Sequence, residues 1–158
     1  SELKTLGDAI SAALPGAISK VVVEFGELTL EVARDRWVET VRYLHDAPDC
    51  LFVNLIDLCG VDYPQRAERF DVVLHLLSPR HNRRIRVKTR AGETTPVASL
   101  TGVFKSANWY EREAYDLFGV VFHGHPDLKR LMMPEDWVGH PLRKDFPVHG
   151  HKYSYQNE

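Results

Sequence analysis

The sequence predicts an α+β fold: a two-layer sandwich with a mixed sheet of about five strands, helices on one face, and an extended, irregular C-terminal tail. Three observations lead there. Apolar residues alternate between helical and strand spacing in the order α-β-β-α-β-β-β-α. A length of 158 residues with 44% hydrophobic and 27% charged side chains suits one domain with a real core. Beyond about Phe122 the periodicity stops.

Leu3, Leu6, Ile10, Ala13 and Leu14 recur at helical spacing, and Pro15-Gly16 ends that helix. Val21, Val23 and Phe25 then alternate with Lys20 and Glu24, and Gly26-Glu27 has the Gly-first form of a two-residue hairpin turn. Leu28, Leu30 and Val32 alternate on the return strand. Asp35 is placed to cap a second helix carrying Trp37, Val38, Val41 and Leu44, which ends near Pro48. Leu51–Leu58 and Arg69–Leu77 read as central strands joined by the polar stretch Asp62–Glu68. A fifth strand, Arg84–Arg90, sets Ile85, Val87 and Thr89 against Arg84, Arg86, Lys88 and Arg90. Ser106–Phe118 reads as a third helix with Tyr110, Ala114 and Leu117 as its buried stripe and Gly119 as its cap.

Residues 1–121 are thus expected to form a single α/β domain. Residues 122–158 hold four of the nine prolines and five of the eight histidines. Such a segment cannot build a core and is expected to lie along a surface, its own or a partner's.

Composition excludes several classes. Two cysteines rule out a disulfide scaffold, and the formal charge of −2 rules out an overall basic nucleic-acid binder. No run approaches the ~20 apolar residues of a spanning helix. Ser1-Glu2-Leu3-Lys4 lacks the start of a signal peptide, which points to a reducing compartment. Cys50 and Cys59 would flank the strand 51–58 on opposite faces, roughly 30 Å apart, as two small buried hydrophobes. They can hold neither a metal nor a disulfide together, and the chain lacks the cysteine set of an iron–sulfur cluster.

Three constellations could carry chemistry. Arg80–Arg90 contains six Lys/Arg and no acid, but the rest of the chain then carries −8 and no aromatics interleave. A solvated strand face outranks an acidic partner or a phosphate track. His123, His125, His140, His149 and His151 could offer zinc ligands with Glu135 or Asp136 as base, yet they lie on an irregular, proline-rich segment. Glu111 and Glu113 are two apart on a helix, where successive side chains point about 100° apart, and cannot converge on one substrate atom. Arg112 and Asp116 are spaced for a surface ion pair, and Glu113 shares a face with Trp109 and Asp116. No nucleophile with a positioned base and no phosphate loop occurs, so the residues describe a binding module.

The run Ala107-Asn108-Trp109-Tyr110-Glu111-Arg112-Glu113-Ala114-Tyr115-Asp116-Leu117-Phe118-Gly119 closely resembles the signature helix of the 30-kDa subunit family of respiratory NADH:quinone oxidoreductase, complex I. The resemblance continues through Phe122–Leu131 and Met133–Pro147. It includes Asp57-Leu58-Cys59-Gly60-Val61-Asp62-Tyr63-Pro64 and Arg69–Val73 upstream, covering about residues 18 to 150. It implies a non-catalytic member of the peripheral arm, on the cytoplasmic side of the bacterial inner membrane or the mitochondrial matrix side. It implies no cofactor in this chain; FMN, iron–sulfur clusters and quinone would belong to partner subunits. The expected partners are the quinone-binding subunit and the neighbouring iron–sulfur subunits.

On this reading the tail is a strap laid in a groove of the quinone-binding subunit, with Trp137 and Phe146 as apolar anchors. The interface would take Glu111, Arg112, Glu113 and Asp116 from the helix. From the tail it would take His125, Pro126, Asp127, Lys129, Arg130, Pro134, Glu135, Asp136, Trp137, His140, Pro141, Arg143, Lys144, Asp145, Phe146 and Pro147. Relatives in membrane-bound hydrogenases leave an alternative electron donor open, and a stand-alone zinc hydrolase using the tail histidines is a distant third. Many members continue beyond the Arg-Lys-Asp-Phe-Pro segment, whereas this sequence stops at Glu158.

Overall fold

A computed structural model describes residues 1–128 and 139–143. The chain opens with helix α1 (Glu2–Ala13), where the Ser1 hydroxyl accepts from the Lys4 N–H. Strands β1 (Ile18–Glu24) and β2 (Glu27–Val32) follow as a hairpin. A short 3-10 turn (Arg34–Arg36) leads into α2 (Trp37–Asp46). Strands β3 (Asn54–Asp62), β4 (Phe70–Ser78) and β5 (Arg83–Ala91) follow, each antiparallel to the next. Helix α3 (Ala107–Phe118) lies between two short strands, β6 (Val97–Ala98) and β7 (Phe122–His123), that pair in parallel.

The five long strands form one mixed sheet in the order β1-β2-β5-β4-β3, with β2 and β5 parallel. The α+β class and the five-stranded sheet are therefore as the sequence predicts. The core is one cluster in which Ile10, Trp37, Val41 and Leu44 from the helices meet Leu28, Leu30, Leu58, Leu74, Leu76, Ile85 and Val87 from the sheet. Helix α3 comes close to β3 because position 60 is glycine: a Cβ there would lie 2.9 Å from Phe118 Cδ2. Gly60→Ala is expected to cost about 1–2 kcal/mol by forcing that ring aside, measurable as a lower urea midpoint with unchanged slope.

Several local expectations give way. The two residues of the hairpin turn are Phe25 and Gly26, at φ +52 and +74, with Glu24 facing Glu27, so the turn sits one residue earlier than Gly26-Glu27. Positive φ at both central residues is what the twist of a two-residue hairpin favours. Asp35 lies inside the 3-10 turn, and α2 begins without a side-chain cap. There Arg36 pairs with Glu39 instead, Nε to Oε1 at 2.6 Å.

The third strand starts at Asn54, not Leu51, because the chain first folds back on α2. The N–H groups of Cys50 and Leu51 donate to Ala47 C=O, Phe52 N–H donates to Leu44 C=O, and Leu51 takes φ +50. Phe52 thus enters the core from a turn. Cys50 is buried as expected, but Cys59 lies within β3 and is exposed. The stripe that α3 buries includes Ala107, Glu111, Ala114 and Phe118, rotated from the expected one; Tyr110 and Leu117 are half-buried. The Tyr110 hydroxyl reaches the Ile56 C=O at 3.0 Å, so the ring spans from helix to strand rather than filling the core. Phe122, just past residue 121, is also a core residue.

Candidate functional site

Helix α3 and the segments that touch its two ends bring together most of the described residues expected to act. Among them, Glu111 is completely buried. Its carboxylate accepts from Ser99 Oγ and from Leu100 N–H, both at 2.7 Å. Burial pushes its pKa up to about 7, against the opposing pull of the Leu100 and Ser99 donors. Glu111 is therefore an internal staple between α3 and the 99–101 turn, not the surface interface group expected. Sequence spacing could not reveal this, because a glutamate on an otherwise amphipathic helix reads as solvent-facing.

Asp116 is also fully buried, and among the described residues no ion pair joins it to Arg112. The Arg112 Nε is itself buried with no hydrogen-bond partner among the described residues. The expected surface pair is thus corrected: Asp116 is buried and Arg112 half-buried, with no ion pair between them. Glu113 is half-buried and Trp109 half-exposed, so these two do face outward.

At the start of α3, His125 acts as a backbone clamp. Its Nδ1 accepts from Asp127 N–H at 2.9 Å, which leaves Nε2–H to donate to the Asn108 C=O at 3.0 Å. Pro126 and Asp127 beside it are exposed. The far end of α3 is closed by residues 139–143. Gly119, at φ +82, turns the chain and donates its N–H to Tyr115 C=O at 2.8 Å. The His140 Nδ1 donates to Asp116 C=O at 2.8 Å. Leu142 N–H donates to Leu117 C=O at 3.0 Å, and Arg143 Nε to Phe118 C=O at 2.5 Å. All four terminal carbonyls of the helix are thereby satisfied, three of them by residues 140–143.

Arg143 does more. Its guanidinium lies 5.1 Å above the Phe70 ring and 3.6 Å from Glu93. A Cβ on Gly119 would sit 2.5 Å from Arg143 Nη2, so the arginine fits only over glycine. His140 and Arg143 therefore pack on their own chain's helix, and Pro141 between them is half-buried. Lys129, Arg130, Pro134, Glu135, Asp136, Trp137, Lys144, Asp145, Phe146 and Pro147 lie outside the described residues.

This geometry bears on the zinc alternative. His125 and His140 serve opposite ends of α3, on carbonyls eight residues and about 12 Å apart along the axis. Among the described residues, no three His, Cys, Asp or Glu side chains come together as a metal site. His149 and His151 lie outside them.

Two cations of the basic strand β5, Arg86 and Lys88, meet acids of neighbouring strands. Arg86 donates to Glu27 at 2.8 Å and to His75 Nε2 at 3.1 Å, while His75 Nδ1 contacts Asp57 at 2.7 Å. Because Nε2 accepts, Nδ1 carries the proton toward Asp57. Lys88 lies 4.0 Å from Asp71, which Arg66 also holds at 2.6 Å. The row from Glu27 to Asp57 crosses four strands and was not visible in the sequence, since it depends on strand order.

The comparisons with known proteins agree with the resemblance. Residues 30–152 match the family described as the respiratory-chain NADH dehydrogenase 30 Kd subunit. The chain belongs to that family. As a member of the 30 Kd subunit family, it is 54% identical over 150 residues to an NADH-quinone oxidoreductase subunit of Rhodopseudomonas palustris strain BisB18, covering 95% of this chain and 75% of that protein. The equivalent protein of Methylorubrum extorquens strain PA1 is 55% identical, covering 94% of this chain and 68% of its own length. That of Azorhizobium caulinodans is 52% identical over 94% and 70%. The family fold also recurs in a chain from the structure of the membrane-bound sulfane sulfur reductase, an archaeal respiratory membrane complex. There the TM-score is 0.75 at 24% identity, over 97% of this chain and 92% of that one. The family match begins inside β2 and takes in α3 together with His125, His140 and Arg143, which hold its two ends.

Proposed function

We propose that the chain is the 30-kDa-type subunit of a proton-translocating NADH:quinone oxidoreductase and performs no redox step itself. It scaffolds the quinone-binding and iron–sulfur subunits, so that electrons pass from NADH to quinone through its neighbours. FMN, iron–sulfur clusters and quinone are assigned to those neighbours, and none to this chain. The observation that carries the reading is family membership over residues 30–152, together with identities above half to proteins named as NADH-quinone oxidoreductase subunits. The clamp over α3 supports it physically. It fixes residues 139–143 against the body, so those residues are already ordered before a partner binds. No helix among the described residues is long and apolar enough to cross a membrane. We assign the chain to the cytoplasmic side, attached through its partners.

Two measurements test this. The whole chain alone should show no NADH:quinone reductase activity, and any turnover would refute the non-catalytic role. In cells carrying Trp137→Ala in place of the native chain, co-purification of the quinone-binding subunit in mild detergent should fall roughly tenfold, as for loss of an aromatic anchor. Undiminished recovery of that partner would sink the strap.

A further inference from the structure

We propose that the tip of the β1–β2 hairpin is a docking anchor that seats Phe25 in an apolar socket, rimmed by basic groups, on a neighbouring protein subunit. The inference rests on the chain being one subunit among several. It comes from three costs that the hairpin bears at one turn.

Phe25 is fully exposed, the most solvent-exposed large apolar side chain among the described residues. It also occupies φ +52, the left-handed region, where a bulky side chain is an outlier and Asn, Asp or Gly would sit with little strain. The third cost is electrostatic. Glu24 and Glu27 face each other as the pair that closes the turn, and like charges in that position repel. Glu27 has Arg86 at 2.8 Å, but Glu24 is exposed and takes no ion-pair partner among the described residues. A hairpin shaped only for its own stability would place Asn-Gly between opposite charges.

All three costs are relieved on docking. The ring leaves water, the turn conformation is held from outside, and the Glu24 carboxylate meets a cation at the socket rim. The Glu24 carboxylate also selects the partner. It disfavours an anionic lipid surface, and a second copy of this chain would bring two unpaired carboxylates together at one contact.

The test places a photoreactive benzoylphenylalanine at position 25 in the assembled complex. Cross-linking to one other protein subunit is expected; cross-linking to lipid or to a second copy overturns the proposal. In parallel, Phe25→Asn and Glu24→Lys should each raise the thermal midpoint of the whole chain on its own. Each should also leave roughly tenfold less of the chain in the complex after a dilution wash. A lowered midpoint, or retention equal to that of the native chain, overturns it. If the native chain itself never enters the complex, the assignment under Proposed function falls and takes the anchor with it. If the native chain enters and the variants follow equally, the anchor alone falls.

Discussion

Glu111→Ala is expected to destabilise the chain by about 3 kcal/mol, because it strips the buried Leu100 N–H of its acceptor and opens a hole beside Ala107 and Ala114. Urea unfolding of the whole chain measures this, and a loss under about 1 kcal/mol would show that the 99–101 turn holds without α3. Glu111→Gln should be much milder below pH 7. Its amide oxygen still accepts from Leu100 N–H, and its NH2 group can donate to the Ser99 hydroxyl. The two variants also separate packing from charge. With a pKa of about 7 in the fold against an ordinary value of 4.5, the native glutamate keeps its proton in the folded chain over a range where the unfolded chain has lost it. Its contribution is therefore complete below pH 4.5 and is lost as pH rises to 7, by an amount on the order of 3 kcal/mol. The native protein should lose stability over that window relative to Glu111→Gln. Parallel curves for the two would refute an internally protonated carboxyl.

Gly119→Ala should cost a comparable amount, about 3 kcal/mol, by a different route. The residue stands at φ +82, and a methyl group would lie 2.5 Å from Arg143 Nη2 and 2.8 Å from the His140 ring. Alanine thus bears both left-handed strain and expulsion of the two side chains that cap Asp116 and Phe118. Amide exchange at Leu142, whose N–H donates to Leu117, should become fast, while exchange in β4 and β5 should follow only the change in global stability. Slow exchange at Leu142 in this variant would mean that residues 139–143 are held by something other than the end of the helix.

The sheet and the three helices were legible because their signals are local. Ile85, Val87 and Thr89 alternate with four cations, and Leu6 and Ile10 recur at helical spacing, so periodicity alone places them. What escaped depends on tertiary decisions. Leu51 and Phe52 carry a strand's composition, yet the chain bends there so that Phe52 can reach the core. Glu111 looked solvent-facing because nothing in the sequence announces that Ser99 and Leu100 will supply donors. The pairing of Arg86 with His75 and Glu27 needed the strand order β2-β5-β4, which spacing does not encode. The family resemblance located α3 and the segment after it as important. The inward role of Glu111 and the self-capping by His140 and Arg143 emerge only once the chain is folded.

The parallel pairing of β2 with β5 sets an order of events during synthesis. Leu28 must find Ile85, and Leu30 must find Val87, across the whole of α2, β3 and β4. The N-terminal hairpin leaves the ribosome long before its neighbour in the sheet exists. Until then Leu28, Leu30 and Val32 have only α1 and α2 to pack on, and the edge of β2 that β5 will cover offers open hydrogen-bonding groups. Closing so long a loop makes this the slow step of folding, and the half-made chain is most exposed to aggregation in that interval. The acidic pair at the hairpin tip, Glu24 and Glu27, then has a second use: it keeps nascent copies apart while they wait for β5.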